Sequence, residues 1–534
     1  MKKLLIICLT IIFGISLTSC GGNVSDEVEY LTIEELIEMA KNNTSTGGNT
    51  GNIEVTGTPN FDVPAQAYNN EVVTIKFSHT MGEALRAELD KGIARFNKLY
   101  PNIKVEHEQV GSYDDVRNTI ATQLTAKKEP NIAYCYPDHV ALYNISNSVV
   151  TLDNLINSTQ EITRADGSKE VLGLTQAQKD DFIPGYYDEG RQFGDGLMYS
   201  MPFSKSTEVL YYNRTFFLEH FPLTDEQGNI VDADPDTEGV QRIETIPTHW
   251  FNESEDDKLS LEYFCKKIKE IDPTSIPLGY DSEANWFITM CEQIGSDYTT
   301  ASGSENFLFD NNVNKTFCKE FRRWYQSGYI TTKEIFGDYT SNIFKNTAND
   351  KSKSYMSIGS SAGAKHQRPD KVDGAYPFEV GIAAIPQMNP NNPKVISQGP
   401  SICVFKKSNP VEVVASWLFV KFITTDVQFQ ASFSMASGYV PVISSVGENS
   451  TYKTMFLETA DGFDGVAALS ALKCLEMRDA YYTSPAFNGS SKARDEVGLI
   501  MQAILAGKAA DDSELNVLIN RAFRDAVTKC KASQ

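Results

Sequence analysis

The sequence predicts an α/β chain folded as two lobes, and three observations carry that expectation. Its 534 residues exceed what one ordinary hydrophobic core accommodates. From residue 72 onward, short β-rich runs alternate with helical runs, the pattern of βαβ units on a parallel sheet. After a long and less regular middle, amphipathic helical patterns of the same texture resume toward the C-terminus.

Each element has a local cause. Residues 72–77 (VVTIKF) read as a strand, and Leu85, Leu89, Ile93 and Phe96 then share one helical face that Pro101 ends. A second strand is expected at 103–110. Ser112 followed by Asp115 is a capping-box start for a helix carrying Val116, Ile120 and Leu124, and a third strand follows at 131–136. Much later, Asn409-Pro410 opens a helix with Val413, Val414, Trp417, Leu418 and Phe422 on its buried stripe. Residues 492–506 read as the last clear helix, with Val497, Met501, Ile504 and Leu505 inward and Gly507 as its stop. An acidic, turn-rich insertion is expected between 222 and 240.

The first 70 residues have a different character. Lys2-Lys3 precede an apolar run at 4–17 and then Thr18-Ser19-Cys20, the charge and length of a secretion signal that is too short to span a bilayer. Leu17 to Cys20 resembles the lipobox of bacterial lipoproteins, which implies lipidation of Cys20 and a protein tethered by acyl chains. Residues 21–70 read as a flexible linker, with a short helical pattern at 33–40 ahead of a run rich in Asn, Thr, Ser and Gly.

Composition narrows the function classes. A net charge of -22 lacks the basic footprint that nucleic-acid binding needs. Cys135, Cys265, Cys291, Cys318, Cys403, Cys474 and Cys530 are scattered, with neither Cys-x-x-Cys nor Cys/His metal spacing, and read as small buried hydrophobes rather than a disulfide framework. Residues 359–363 match G-x-S-x-G, but the only later histidine, His366, stands five residues on from Ser361, too close for the α/β-hydrolase order. Asp232-Ala233-Asp234-Pro235-Asp236 lacks the Gly and Glu of a calcium loop and reads as a solvated turn. No catalytic residue, cofactor or metal is therefore assigned.

A set of short motifs in fixed order adds a family expectation. These are FNKLYPNIKV at 96–105, PNIA at 130–133, PF at 202–203 with LYYN at 210–213, PTHW at 247–250, GPSI at 399–402 and SGYVP at 437–441. Together they resemble the extracellular solute-binding proteins of ABC importers, in the group containing maltose- and glycerol-3-phosphate-binding proteins. The resemblance implies a two-lobe periplasmic-binding-protein-like fold with interleaved lobes joined by hinge crossings, at residues 204–207, near Gly359 and near residues 423–426. The expected divisions are signal 1–20, linker 21–70, first lobe 71–205 and 359–424, second lobe 206–358 and 425–534.

It also implies a monomeric binding protein, not an enzyme, that presents a sugar or glycerol-phosphate solute to the permease subunits of an importer. The alternative is a secreted surface lipoprotein with a hydrolase or adhesive role. Ligands of such folds sit at strand ends and helix N-termini, where N–H groups converge. On that basis the expected ligand residues are His79, Tyr113, Asp138, Ser206, Trp286, Ser360, Ser361, Gly399, Tyr439 and Arg494. Lys205 and Arg494 are the cations expected to neutralise a phosphate, and Trp286 the ring expected to stack on a sugar.

Overall fold

The computed structural model describes residues 28–45, 53–221, 223, 244–346 and 353–534. The expected signal segment with Cys20, the expected turn at 232–236 and nearly all of the expected acidic insertion lie outside these residues. Two five-stranded sheets organise the chain. In the first, the strand Val73–His79 pairs in parallel with Ile103–Gln109 on one side and Ile132–Cys135 on the other. Ser401–Val404 then runs antiparallel to Ile132–Cys135 and to the short strand Met201–Pro202 at the edge. The crossover helices are those the periodicity predicts: Glu83–Leu99 buries Leu89, Ile93 and Phe96, and Tyr113–Thr125 starts on a complete Ser112/Asp115 capping box.

The second sheet orders Val380–Ala384, Glu208–Asn213, Met356–Ser360, Leu278–Tyr280 and Ile330–Thr332. Glu208–Asn213 runs antiparallel to both neighbours and is buried at every position because both faces are covered, Leu210 and Tyr212 entering one hydrophobic cluster and Val209 and Tyr211 another. Helices Glu283–Ile294, Asn312–Gln326, Ser490–Ala506 and Asp512–Ala532 pack together in this lobe. Ser490–Ala506 buries all four expected residues: Val497, Met501, Ile504 and Leu505. All seven cysteines among the described residues are buried and free.

The sheet pairing corrects two expected boundaries. Met356–Ser360 and Val380–Ala384 both belong to the second sheet, so the chain does not return to the first lobe near Gly359. It returns at 398–401, where Ser206 and Gln398 exchange backbone hydrogen bonds and Ser401 enters the first sheet. Nor does the chain leave at 423–426. Helix Pro410–Thr425 packs on strand Val73–His79, and the next helix, Val427–Ser437, packs on Glu83–Leu99. The final passage lies between helix Ser450–Met455, which packs on Val427–Ser437, and helix Val466–Glu476, which packs on strand Val380–Ala384. Strand-like and helix-like periodicity identifies elements but not which sheet a strand joins. That is why the interleaving was legible and its seams were not.

The expected linker is also corrected. Helix Ile33–Asn42 carries a Thr32/Glu35 capping box and buries Leu36, Ile37 and Ala40 against helix Glu283–Ile294. Residues 53–68 lie along the first lobe: Thr56 and Gly57 donate to the Asp195 carbonyl, Asn60 is bonded to Thr151, and Gln160 Nε2 donates to the Pro64 carbonyl at 2.7 Å. Apolar residues spaced through a polar stretch are what fix it: the stripe at 36, 37 and 40 needs a partner surface to leave water.

Candidate functional site

A cleft of about 610 Å3 opens between the lobes. Helix starts converge on it. From the first lobe come Tyr113, Asp114 and Arg117 on helix Tyr113–Thr125, and Pro137, Asp138 and His139 at the start of Pro137–Tyr143. The second lobe supplies Glu283, Ala284, Asn285 and Ile288 on Glu283–Ile294, with Ser490 and Arg494 on Ser490–Ala506. Ser206, Ser360 and Gln398 line it where the chain crosses. First-turn residues face the cavity because each helix follows a strand end or loop at the rim, so polar side chains and the positive end of the helix dipole point the same way.

Carboxylates outnumber cations on the lining: Asp114, Asp138, Glu189, Asp281, Glu283, Glu334 and Asp495 against Arg117, Lys333 and Arg494. Most already have partners. Arg117 stands 3.3 Å from Asp114 and 3.8 Å from Asp495, and Lys333 3.3 Å from Glu334. Asp281 accepts from the Thr340 N–H and hydroxyl at 2.8 Å each, and Glu283 accepts from the Thr332 hydroxyl. Burial raises the carboxyl pKa of Asp281, Glu283 and Asp495, and it lowers that of the His139 imidazole. Asp138 makes no ion pair among the described residues. Four phenols complete the wall. Tyr113 Oη and Tyr439 Oη are 3.2 Å apart, Tyr113 and Tyr136 have ring centroids 5.0 Å apart, and Tyr298 lines the cleft beside Arg494. Hydroxyl acceptors and donors, amide groups, carboxylates and flat faces are a surface for a hydroxyl-rich solute.

Of the ten sequence-predicted ligand residues, Tyr113, Asp138, Ser206, Ser360, Tyr439 and Arg494 meet on this lining. The other four do not. His79 is fully buried at the end of its strand: its Nδ1 accepts from the Met81 N–H at 3.1 Å, so its Nε2 is the donor toward His107 Nδ1 at 2.9 Å. Burial, and then His107, push its pKa down to about 3, so it is neutral. Trp286 is fully buried against Tyr280, with ring centroids 4.9 Å apart, and against Phe321 at 4.2 Å. One residue is about 100° of helix, so Asn285 faces the cleft and Trp286 the core. Ser361 Oγ is spent accepting the Thr207 N–H at 3.1 Å.

Gly399 serves the crossing itself, at φ +89°, where a Cβ would stand 2.3 Å from the Ser204 carbonyl oxygen. Lys205, expected at the ligand, is also fully buried. Its ammonium is paired with Glu189 and donates to the Gly399 carbonyl and Ser401 Oγ, both at 3.0 Å. Sequence reasoning missed Arg117, Tyr136, Glu189, Asn285, Tyr298 and Gln398 on the lining. For Asn285 a signal existed: Ser282 caps the helix by accepting the Asn285 N–H at 3.2 Å, which phases the Asn toward the rim.

Comparison with known proteins agrees with this geometry. The chain is 27% identical over 146 residues to the sn-glycerol-3-phosphate-binding periplasmic protein UgpB of Salmonella typhimurium, a match spanning 27% of this chain and only 30% of that protein. Among solved structures, MalE from Xanthomonas citri, a sugar-binding protein, superposes with a TM-score of 0.60 at 15% identity, over 86% of this chain and 98% of that one. UgpB from Mycobacterium tuberculosis in complex with glycerophosphocholine superposes with a TM-score of 0.58 at 16% identity, again over 86% and 98%. These likenesses show the two-lobe fold. The family model for bacterial extracellular solute-binding proteins matches residues 91–456, more than half of the chain, and the protein belongs to that family.

Proposed function

We propose that this protein captures a carbohydrate-type solute in the interlobe cleft and delivers it to the permease of an ABC importer, held outside the cytoplasm by a lipid on Cys20. The observation that carries the ligand class is the lining itself: four tyrosines, amides and carboxylates from both lobes around about 610 Å3. With Lys205 already neutralised by Glu189, the excess of carboxylates disfavours a phosphate dianion and favours neutral hydroxyls. A sugar or polyol is the first reading.

A phosphodiester is the second, supported by Arg494, whose guanidinium bonds a neutral amide rather than a carboxylate and keeps donors for an oxyanion. The relatives named above bind sn-glycerol-3-phosphate and glycerophosphocholine, so both belong in the test. Thermal-shift and calorimetric titrations with mono- to tetrasaccharides, sn-glycerol-3-phosphate and glycerophosphocholine decide between the readings, because a ligand of the folded state raises its stability by mass action. Saturable binding of a saccharide without turnover is expected. Binding of none of these compounds would overturn the proposed class. For the anchor, Cys20→Ser should shed the protein into the medium or leave it unprocessed, and an intact Met1 on native material would overturn the lipid assignment.

A further inference from the structure

Behind the cleft wall lies a carboxylate that the ligand cannot touch. Glu208 is the first residue of strand Glu208–Asn213, immediately after the crossing at 204–207, and is 1% exposed. Both of its hydrogen-bond donors are neutral: the Tyr280 hydroxyl at 2.6 Å on Oε2 and the Asn285 Nδ2 at 2.9 Å on Oε1. Asn285 is itself 4% exposed, and its Oδ1 accepts from Arg494 Nη2. Carboxylate, amide and guanidinium thus form one chain from the crossing strand through helix Glu283–Ile294 to helix Ser490–Ala506.

We propose that Glu208 is the positioning residue of the cleft: by accepting from Asn285 Nδ2 it fixes the amide with its oxygen toward Arg494, and so holds the guanidinium against the wall with its other donors toward the cleft. This rests on the cleft being the solute site. An amide has two orientations that differ only in which end donates. An ionised carboxylate accepts only, so the Asn285 nitrogen faces it and the oxygen is left for Arg494. Protonated Glu208 presents a donor to partners that were both donors. Either the Tyr280 hydroxyl reverses, or the amide turns over and meets the guanidinium donor to donor, and with the negative charge gone neither arrangement holds Arg494 as firmly.

The groups facing Glu208 come from four elements. Tyr280 ends its strand and Asp281 follows it; Asn285 stands on Glu283–Ile294, Arg494 on Ser490–Ala506, and Tyr482 on the short strand Tyr481–Tyr482. Burial pushes the Glu208 carboxyl up to about 7, with Asp281 adding to the rise and Tyr280, Asn285 and Arg494 opposing it. Arg494 is therefore held firmly above pH 7 and loosened as pH falls through it.

The test begins without any ligand. In the full chain labelled with 15N-arginine, and with the signal assigned by loss in Arg494→Lys, the Arg494 Nε–H resonance should shift with a midpoint near pH 7 in the wild type. It should stay flat from pH 6 to 8 in Glu208→Gln. If Glu208→Gln does not fold, Asn285→Ala breaks the same chain at its middle link and should abolish the pH-dependent shift of the Arg494 signal equally. A flat wild-type signal, or the same transition surviving in the variant, overturns the proposal. The second arm measures maltotriose and glycerophosphocholine binding by calorimetry at pH 6 and pH 8. Affinity for whichever binds should fall severalfold at pH 6 in the wild type and change less than twofold in Glu208→Gln, and equal pH dependence in both proteins counts against it. If neither compound binds but the Arg494 signal titrates, the ligand class is what failed, not the relay.

Discussion

Two cation–carboxylate arrangements meet the interlobe cleft, and they differ in what stands between the charges. At the crossing, Lys205 and Glu189 touch directly, with the lysine side chain fully buried and Ser397, Ser401 and the Gly399 carbonyl completing their hydrogen bonds. On the wall, the Asn285 amide separates Glu208 from Arg494. A direct buried pair consumes both charges and serves the fold. A spaced pair keeps the guanidinium in place while leaving it donors to offer. One motif of opposite charges therefore yields a structural staple in one place and a cleft-lining cation in the other, and the difference is a single side chain of intervening distance.

The floor is where breaking the comparison costs most. Lys205→Met leaves Glu189 buried without its counter-charge, and removal of one partner of such a pair typically costs about 3–5 kcal/mol. Equilibrium urea unfolding of the ligand-free protein should show that loss, and the double change Lys205→Met with Glu189→Leu should recover most of it. A single change costing under about 1 kcal/mol would mean that the pair does not staple the crossing. Trp286→Ala is expected to be of similar size, about 3–5 kcal/mol, through the cavity left against Tyr280 and Phe321. Its effect should be on stability alone. A matched loss of saccharide affinity in the folded fraction would restore Trp286 as a stacking ring and undo its placement in the core.

The wall should respond in the opposite way. Arg494→Ala removes a part-buried cation that, among the described residues, bonds only an amide in the ligand-free protein, so unfolding should move little while affinity falls by about 1.5–3 kcal/mol, the usual worth of a hydrogen bond to a charged group. That is about tenfold to a hundredfold in Kd by calorimetry. An Arg494→Ala protein that binds its saccharide normally would remove the guanidinium from the site.

How far this contrast was legible in the sequence depends on its parts. The alternation of strands and helices, the Ser112 capping box, the Asn409-Pro410 start and the stripe on Ser490–Ala506 were readable because each depends on neighbours within a few turns. Tyr113, Asp138, Ser206, Ser360, Tyr439 and Arg494 were singled out from strand ends, helix starts and the crossings that the family resemblance implies, and the lobes bring them to one cleft. Lys205 and Trp286 were misplaced for a common reason. Whether a side chain faces a ligand or a core is decided by a partner beyond the local sequence: Glu189 on a separate 3-10 turn for the lysine, Phe321 on another helix for the ring. The docking of Ile33–Asn42 was hidden likewise, since its apolar stripe names no surface until helix Glu283–Ile294 supplies one.

The smallest expected effect tests whether the wall and the opposite lobe also hold each other. Arg117, on the first-lobe helix Tyr113–Thr125, donates through Nη1 to Ser491 Oγ at 2.8 Å and stands 3.8 Å from the Asp495 carboxylate, both on the second-lobe helix that carries Arg494. These contacts cross the mouth of the cleft. Its side chain is 17% exposed and Asp495 is 49% exposed, so solvent screens much of the attraction and the pair is worth about 0.2–1 kcal/mol. Arg117→Ala should leave unfolding almost unchanged but shift the ligand-free balance of closed and open lobes by up to about fivefold, since 1 kcal/mol is about that factor. Pulsed electron-spin distance measurements, with one label exposed on each lobe, should show a larger open fraction in the variant, and saturating ligand should abolish the difference. An unchanged distance distribution would mean that the crossings alone set the angle between the lobes, and that the cross-cleft contact follows closure without stabilising it.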